Sequence, residues 1–245
     1  MSEVKARQLA IDTRLRLGLQ STEHVDVHRA VNSLGITCVK RPLESSISGA
    51  TLKTDKVKVI LVNSSKSLGH QNFTIAHEIY HCLYDDNLVS RACKTESFDH
   101  SSDSEEIADL FATHLLMPED AIFNQLRLRK KLDKKLALAD VINLEQFFGV
   151  SRKAMCWRLE DLKLITRDES ERYCVNVIQG ARLLGKNTGL YKQTNDKAII
   201  SDYAERAQEA LQKNLITESR YEEILADADL LEEVVAKPEE VDIVD

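Results

Sequence analysis

The stretch FTIAHEIYH, Phe73 to His81, constrains this chain more than any other. It sets two histidines four residues apart in a run whose apolar residues recur with a helical period. Side chains at that spacing lie one turn apart on one face, with β-carbons about 5–6 Å apart. His77 and His81 can therefore hold one ion together. Glu78 lies about 100° further round, placed to reach a water beside the metal rather than the metal itself. Chance produces such a pattern in roughly 2% of chains of this composition, so the five letters HEIYH alone decide nothing. The plain alternative is two partly buried structural histidines bordering the stripe Ala76, Ile79, Tyr80 and Leu83. A third ligand decides between the two.

A metzincin would place Gly and His three and six residues after His81, where this chain has Tyr84 and Asn87. The better source is SEEIADLFATHLLMP, Ser104 to Pro118. Its apolar stripe is Ile107, Ala108, Phe111, Ala112 and Leu115, an amphipathic helix. Glu105 lies beside Ala108, Ala112 and Leu116 at the stripe's edge, whereas Glu106 lies opposite Leu115 and faces water. A carboxylate bordering a core needs a partner, which favours Glu105 over Glu106. Asp109 shares the face of Glu105 and can accept the other ring N–H of a metal-bound histidine. His114 is half a turn from Glu105 and cannot join it at the same ion.

The rest of the chain reads as largely helical with a small sheet, since its 245 residues include only 8 Gly and 3 Pro. Helices are predicted over Val4–Leu17, near Val25–Leu34, over Leu68–Tyr84 with HEIYH in it, and near Asp103–Met117. A strand is predicted at Ile36–Lys40. A hairpin follows within SGATLKTDKVKVILVN around Thr54-Asp55-Lys56. A polar loop is predicted from Asp85 to Ser102. LALADVINLEQFFGVSRKAMCWRLEDLKLI reads as two helices about a Gly149-Val150-Ser151 turn. The last 75 or so residues read as helical, then acidic and frayed.

No 18-residue apolar run is present, which excludes a membrane-spanning helix, and the charged N-terminal twenty residues lack a signal-peptide core. Cys38, Cys82, Cys93, Cys156 and Cys174 are odd in number and lack zinc-finger spacing, so free thiols in a cytoplasmic protein are expected. The net charge of −7 is unevenly spread: Tyr221–Asp245 holds ten acids and one lysine, leaving the other residues slightly basic. The basic run RLRKKLDKK, Arg127 to Lys135, stands out in the middle.

ISGATL, VILVN, FTIAHEIYH and EEIADLFATHLLMP, in this order and spacing, resemble the ImmA/IrrE family of zinc metallopeptidases over roughly Val25 to Ile165. The resemblance implies an α+β fold: a mostly helical, zincin-like body with a small antiparallel sheet, helix-turn-helix-like helices after it, and a helical C-terminal tail. The corresponding segments are 1–126, 127–167 and 168–245. It also implies His77, His81 and Glu105 as zinc ligands of a gluzincin-like metalloendopeptidase, with Glu78 as general base. Manganese and iron share that donor set. Tyr80 stands where the family often has Gly, and His70-Gln71-Asn72 replaces the usual Arg-containing run. The implied substrate is a helix-turn-helix transcriptional repressor, cut to relieve repression in a stress, mobile-element or toxin–antitoxin setting.

Several points stay open on the sequence. Tyr80, Tyr84 and His100 are alternative oxyanion donors. The strand Val57–Asn63 can receive an extended substrate by β-addition or serve as a plain core strand. FGVSRKAMCWRL offers a helix-turn-helix reading in which Ser151 caps a recognition helix with Arg152, Lys153 and Arg158 near phosphates, and Arg127, Arg129, Lys130 and Lys131 of the basic run add contact with a partner or nucleic acid. The apolar set Val150, Ala154, Trp157, Leu159 and Leu162 favours a packed helix instead. The second function class is thus a non-catalytic DNA- or repressor-binding regulator that keeps the peptidase fold.

Overall fold

The computed structural model describes residues 2–44, 46–85, 90–93, 103–132 and 134–227. Helix α1 (Ser2–Arg16) is followed by α2 (Val27–Ser33), capped by the Asp26 carboxylate, which accepts from the amides of His28 and Arg29. Strand β1 is Thr37–Arg41. The expected hairpin then forms from β2 (Gly49–Lys53) and β3 (Lys58–Asn63), with Lys53 opposite Lys58 and the Thr54 hydroxyl accepting from the Val57 amide at 3.0 Å.

The sheet is mixed, a correction to the antiparallel sheet expected. Strand β3, not β2, inserts beside β1 and runs parallel to it, from Thr37 opposite Val59 to Arg41 opposite Asn63. The chain leaves β1, passes beyond the place of β3, and returns through it. Asn63, fully buried, fixes that path: its side chain accepts from the Leu43 amide (3.0 Å) and donates to the carbonyls of Leu43 (3.2 Å) and Ile47 (2.9 Å). With neighbours on both sides, β3 has no free edge, so the expectation that it receives a substrate strand fails. Strand β4 (Ser90–Cys93), in the segment expected to be loop, pairs antiparallel with β2 and ends the sheet on that side.

Helix α3 (Leu68–Tyr84) packs on β2 and β3, and α4 (Asp103–Leu116) packs on its other side, with α1 outermost. Sandwiched in this way, α3 is buried on nearly every face: Phe73, Ile75, Ala76, Ile79, Tyr80 and Cys82 are inaccessible, and so are His77, Glu78 and His81. The histidines sit within the core rather than along its border.

Helix α5 (Glu119–Leu128) follows Pro118, and α6 (Leu138–Phe148) ends at Gly149 in the left-handed region (φ 66°). Ser151 caps α7 (Arg152–Asp161) by accepting from the Ala154 amide at 3.2 Å. Helices α8 (Arg167–Tyr173) and α9 (Val177–Leu183) and a short 3-10 turn at Gly189–Tyr191 come next. Strand β5 (Ala198–Ile200) then joins the far side of β1, antiparallel. The helical reading of the last third thus missed a strand of the sheet. Helices α10 (Tyr203–Gln212) and α11 (Glu218–Asp227) pack on each other. Most of the acidic end lies outside the described residues. No helix among the described residues is long and apolar enough to cross a membrane.

Candidate metal centre

A buried polar side chain without a partner costs several kcal/mol, so the three buried polar groups of HEIYH each need an answer. His77 directs Nδ1 at Asp109 Oδ1 of α4, 2.7 Å away. His81 directs Nδ1 at Asp85 Oδ2, 3.1 Å away, and the same Asp85 oxygen accepts from the Ser104 hydroxyl at 2.7 Å. A carboxylate only accepts, so each Nδ1 carries the proton and each Nε2 presents a lone pair.

Those two Nε2 atoms are 3.2 Å apart, and each lies 3.4 Å from a different oxygen of Glu105. His77, His81 and Glu105 form a group able to hold a metal ion, and only these do so among the described residues. Two observations fit them to a metal ion. Lone pairs converging at such distances repel unless a cation sits among them. The edges of a tetrahedron around an ion with bonds of about 2.0–2.1 Å are about 3.3 Å, close to the spacings found. The Glu105 side chain is 14% exposed and gives the group its access to solvent.

Glu78 leaves the helix on the sheet side. The Thr51 hydroxyl on β2 donates to Glu78 Oε2 at 2.6 Å, whereas Oε1 is buried with no hydrogen-bond partner among the described residues. Gly49, two residues earlier on the same strand, makes this approach feasible. A β-carbon there would stand 2.5 Å from Thr74 Cγ2 and 3.0 Å from Glu78 Oε1.

The fold is that of a metallopeptidase-type protein, and this group is able to hold a metal ion. The chain belongs to the IrrE N-terminal-like domain family of peptidases, which residues 31–160 match. No curated protein matches the chain.

The remaining candidates fall into different places. The Tyr80 ring packs against His81, with centroids 5.4 Å apart, and burial raises the pKa of its hydroxyl. Tyr84 points the other way, its hydroxyl 2.8 Å from Thr13 Oγ1 and 3.5 Å from the Leu9 carbonyl of α1. His100 lies outside the described residues. His114 meets Glu3 (2.7 Å) and Arg158 (3.4 Å), well away from the metal group.

Of the basic residues, Arg127, Arg129, Lys130 and Lys153 are exposed, and Lys131 pairs with Asp140 at 3.1 Å. Arg152 is a correction. It is buried, bonds both carboxylate oxygens of Glu145, and donates to the Tyr173 carbonyl at 2.8 Å. It cannot face nucleic acid, because its charge is consumed within the core. Helix α7 also buries Ala154, Met155, Cys156, Arg158 and Leu159, leaving little surface for a recognition helix.

Two residues of the site escaped the sequence reading. Asp85 stands four residues after His81, the spacing that marked the histidines themselves. Thr51 carries no local signal at all, since its role depends on the sheet crossing α3.

Proposed function

We propose that the protein is a zinc-dependent endopeptidase acting on a partner protein, a helix-turn-helix transcriptional repressor in the reading that the family resemblance favours. The observation that carries it is the convergence of His77, His81 and Glu105 beside a glutamate, Glu78, whose buried Oε1 has no hydrogen-bond partner among the described residues. A pure binding protein has no need of that glutamate.

His77, His81 and Glu105 would hold the ion. When bound there, zinc supplies a Lewis acid that polarises a peptide carbonyl and acidifies water. Asp109 and Asp85 keep both imidazoles in the tautomer that presents Nε2. Thr51 holds Glu78 Oε2, leaving Oε1 to take the proton of the attacking water and pass it to the leaving amine. Tyr80, whose ring packs edge-on against that of His81, is the side chain assigned to the oxyanion. The substrate would enter extended and add to the sheet at β4, the end strand next to β2.

The regulator alternative loses support from the burial of Arg152 and the pairing of Lys131. The deciding experiment has two arms. Elemental analysis should find about one zinc per chain, lost in His77→Ala and Glu105→Ala. Incubation with candidate repressors should give cleavage by the wild type and none by Glu78→Gln, which keeps its zinc. Equal cleavage by that variant would sink the assignment of the base.

A further inference from the structure

A second cavity lies away from the metal group, between α1, the end of α4 and the start of α5. Its volume is about 320 Å3, within the ~300–1,000 Å3 of small-molecule sites. Glu105 is in the first turn of α4 and His114 in the last, roughly 13 Å along the helix from each other. The cavity therefore does not share the chemistry of the first site.

Its walls are apolar: Ile11, Leu15, Leu19 and Pro118. Ile11 and Leu15 are 42% and 69% exposed, unusual for large aliphatic side chains on a packed helix. Arg14 also lines the cavity and is only 3% exposed. Its guanidinium donates to the carbonyls of Leu115, Gln20 and Glu23, each at 2.6 Å, while its Nε has no partner. No carboxylate lies within ion-pair distance of it among the described residues. A buried cation without a counter-ion is costly; burial pushes the Arg14 pKa down, and Glu23 opposes this only from a distance.

Among the described residues no other charged group of the lining pairs with Arg14. His114 faces Glu3 and Arg158, and burial with the Arg158 charge holds its pKa down. Glu119 and Asp120 line the cavity within the first turn of α5, where the roughly half positive charge at the helix end offsets them only in part, and neither is in ion-pair distance of Arg14. Arg7, exposed, adds a second cation to the lining.

We propose that this cavity is a binding site for a small amphiphilic anion, a carboxylate bearing a medium-length apolar chain. The head group compensates Arg14 with help from Arg7, and the chain covers Ile11, Leu15, Leu19 and Pro118. The site is distinct from the peptidase centre and stands whether or not that centre cuts proteins.

Calorimetric titration of the full-length protein tests it, with octanoate as probe and octylammonium as the same chain of opposite charge. Octanoate should bind with Kd below about 1 mM, and octylammonium about tenfold more weakly or worse. Arg14→Gln should abolish octanoate binding if it folds. Leu15→Asp, at an exposed position, keeps the test decisive: it should leave circular dichroism and zinc content unchanged and weaken octanoate about tenfold. Absent octanoate binding, equal binding of the two probes, or full affinity in Leu15→Asp would each overturn the proposal.

Discussion

His77 Nδ1 and Asp109 Oδ1 meet at 2.7 Å across two helices that are separated in sequence by a long polar segment. The contact orients the imidazole from outside the metal group and ties α3 to α4. Removing such a partner typically weakens metal binding 10–100-fold. Asp109→Ala should therefore lower zinc affinity by roughly that factor while Glu78→Gln leaves it unchanged. Competition against a chelating dye reads both, and an unaltered affinity in Asp109→Ala would deny the carboxylate its orienting role.

At Gly49, β2 lies too close to the α3 side chains of Thr74 and Glu78 to leave room for a β-carbon. Gly49→Ala forces a β-carbon against Thr74 and Glu78, and overpacking of this kind costs about 1–3 kcal/mol. Urea denaturation should show the midpoint falling with little change in slope. A midpoint equal to wild type would mean the strand has room to move.

The Arg152–Glu145 pair is buried on both sides. Arg152→Met strands the Glu145 carboxylate in the core, a loss of about 3–5 kcal/mol for a broken buried pair. Adding Glu145→Gln should recover much of it. Exposed Lys130→Ala, by contrast, should stay within about 0.5 kcal/mol. If Arg152→Met unfolded no more easily than Lys130→Ala, the packed account of α7 would fail.

Asp196 pairs with buried Lys40 at 2.8 Å and is itself 39% exposed. Burial works to raise its pKa, but the hydrogen bonds from Lys40 and Thr194 outweigh this and lower it. A carboxylate with a depressed folded pKa adds stability above its unfolded pKa of about 3.9 and loses it as pH falls through the folded value. Asp196→Asn should thus cost about 1 kcal/mol near neutral pH, a figure reduced for solvent screening, and almost nothing in acid. Melting curves across pH check this; a constant difference between the two proteins would remove the ion pair from the explanation.

What the sequence made legible was local. The helical period around HEIYH, the edge position of Glu105, the same-face spacing of Asp109 and the Gly149 helix stop all follow from residues within a turn or two. The parallel pairing of β1 with β3 does not, because it depends on Asn63 holding a distant connection. Thr51 and Gly49 were unreadable for the same reason: their partners come from α3. Arg152 misled because a charged residue after a helix cap looks solvent-facing until Glu145 and the Tyr173 carbonyl are folded around it. The Ala198–Ile200 run is too short to show a strand period.

That short strand governs how the protein can be cut down. Residues 31–160 match the peptidase family, yet the outer edge of β1 is covered only by residues 198–200. A chain truncated after Leu164 would keep every metal-facing side chain and bare a row of unpaired amides and carbonyls, a template for self-association. Ribosomal synthesis poses the same hazard in time, since the edge stays open until about four-fifths of the 245 residues have emerged. The metal-facing half of this chain is finished early in translation and made safe late.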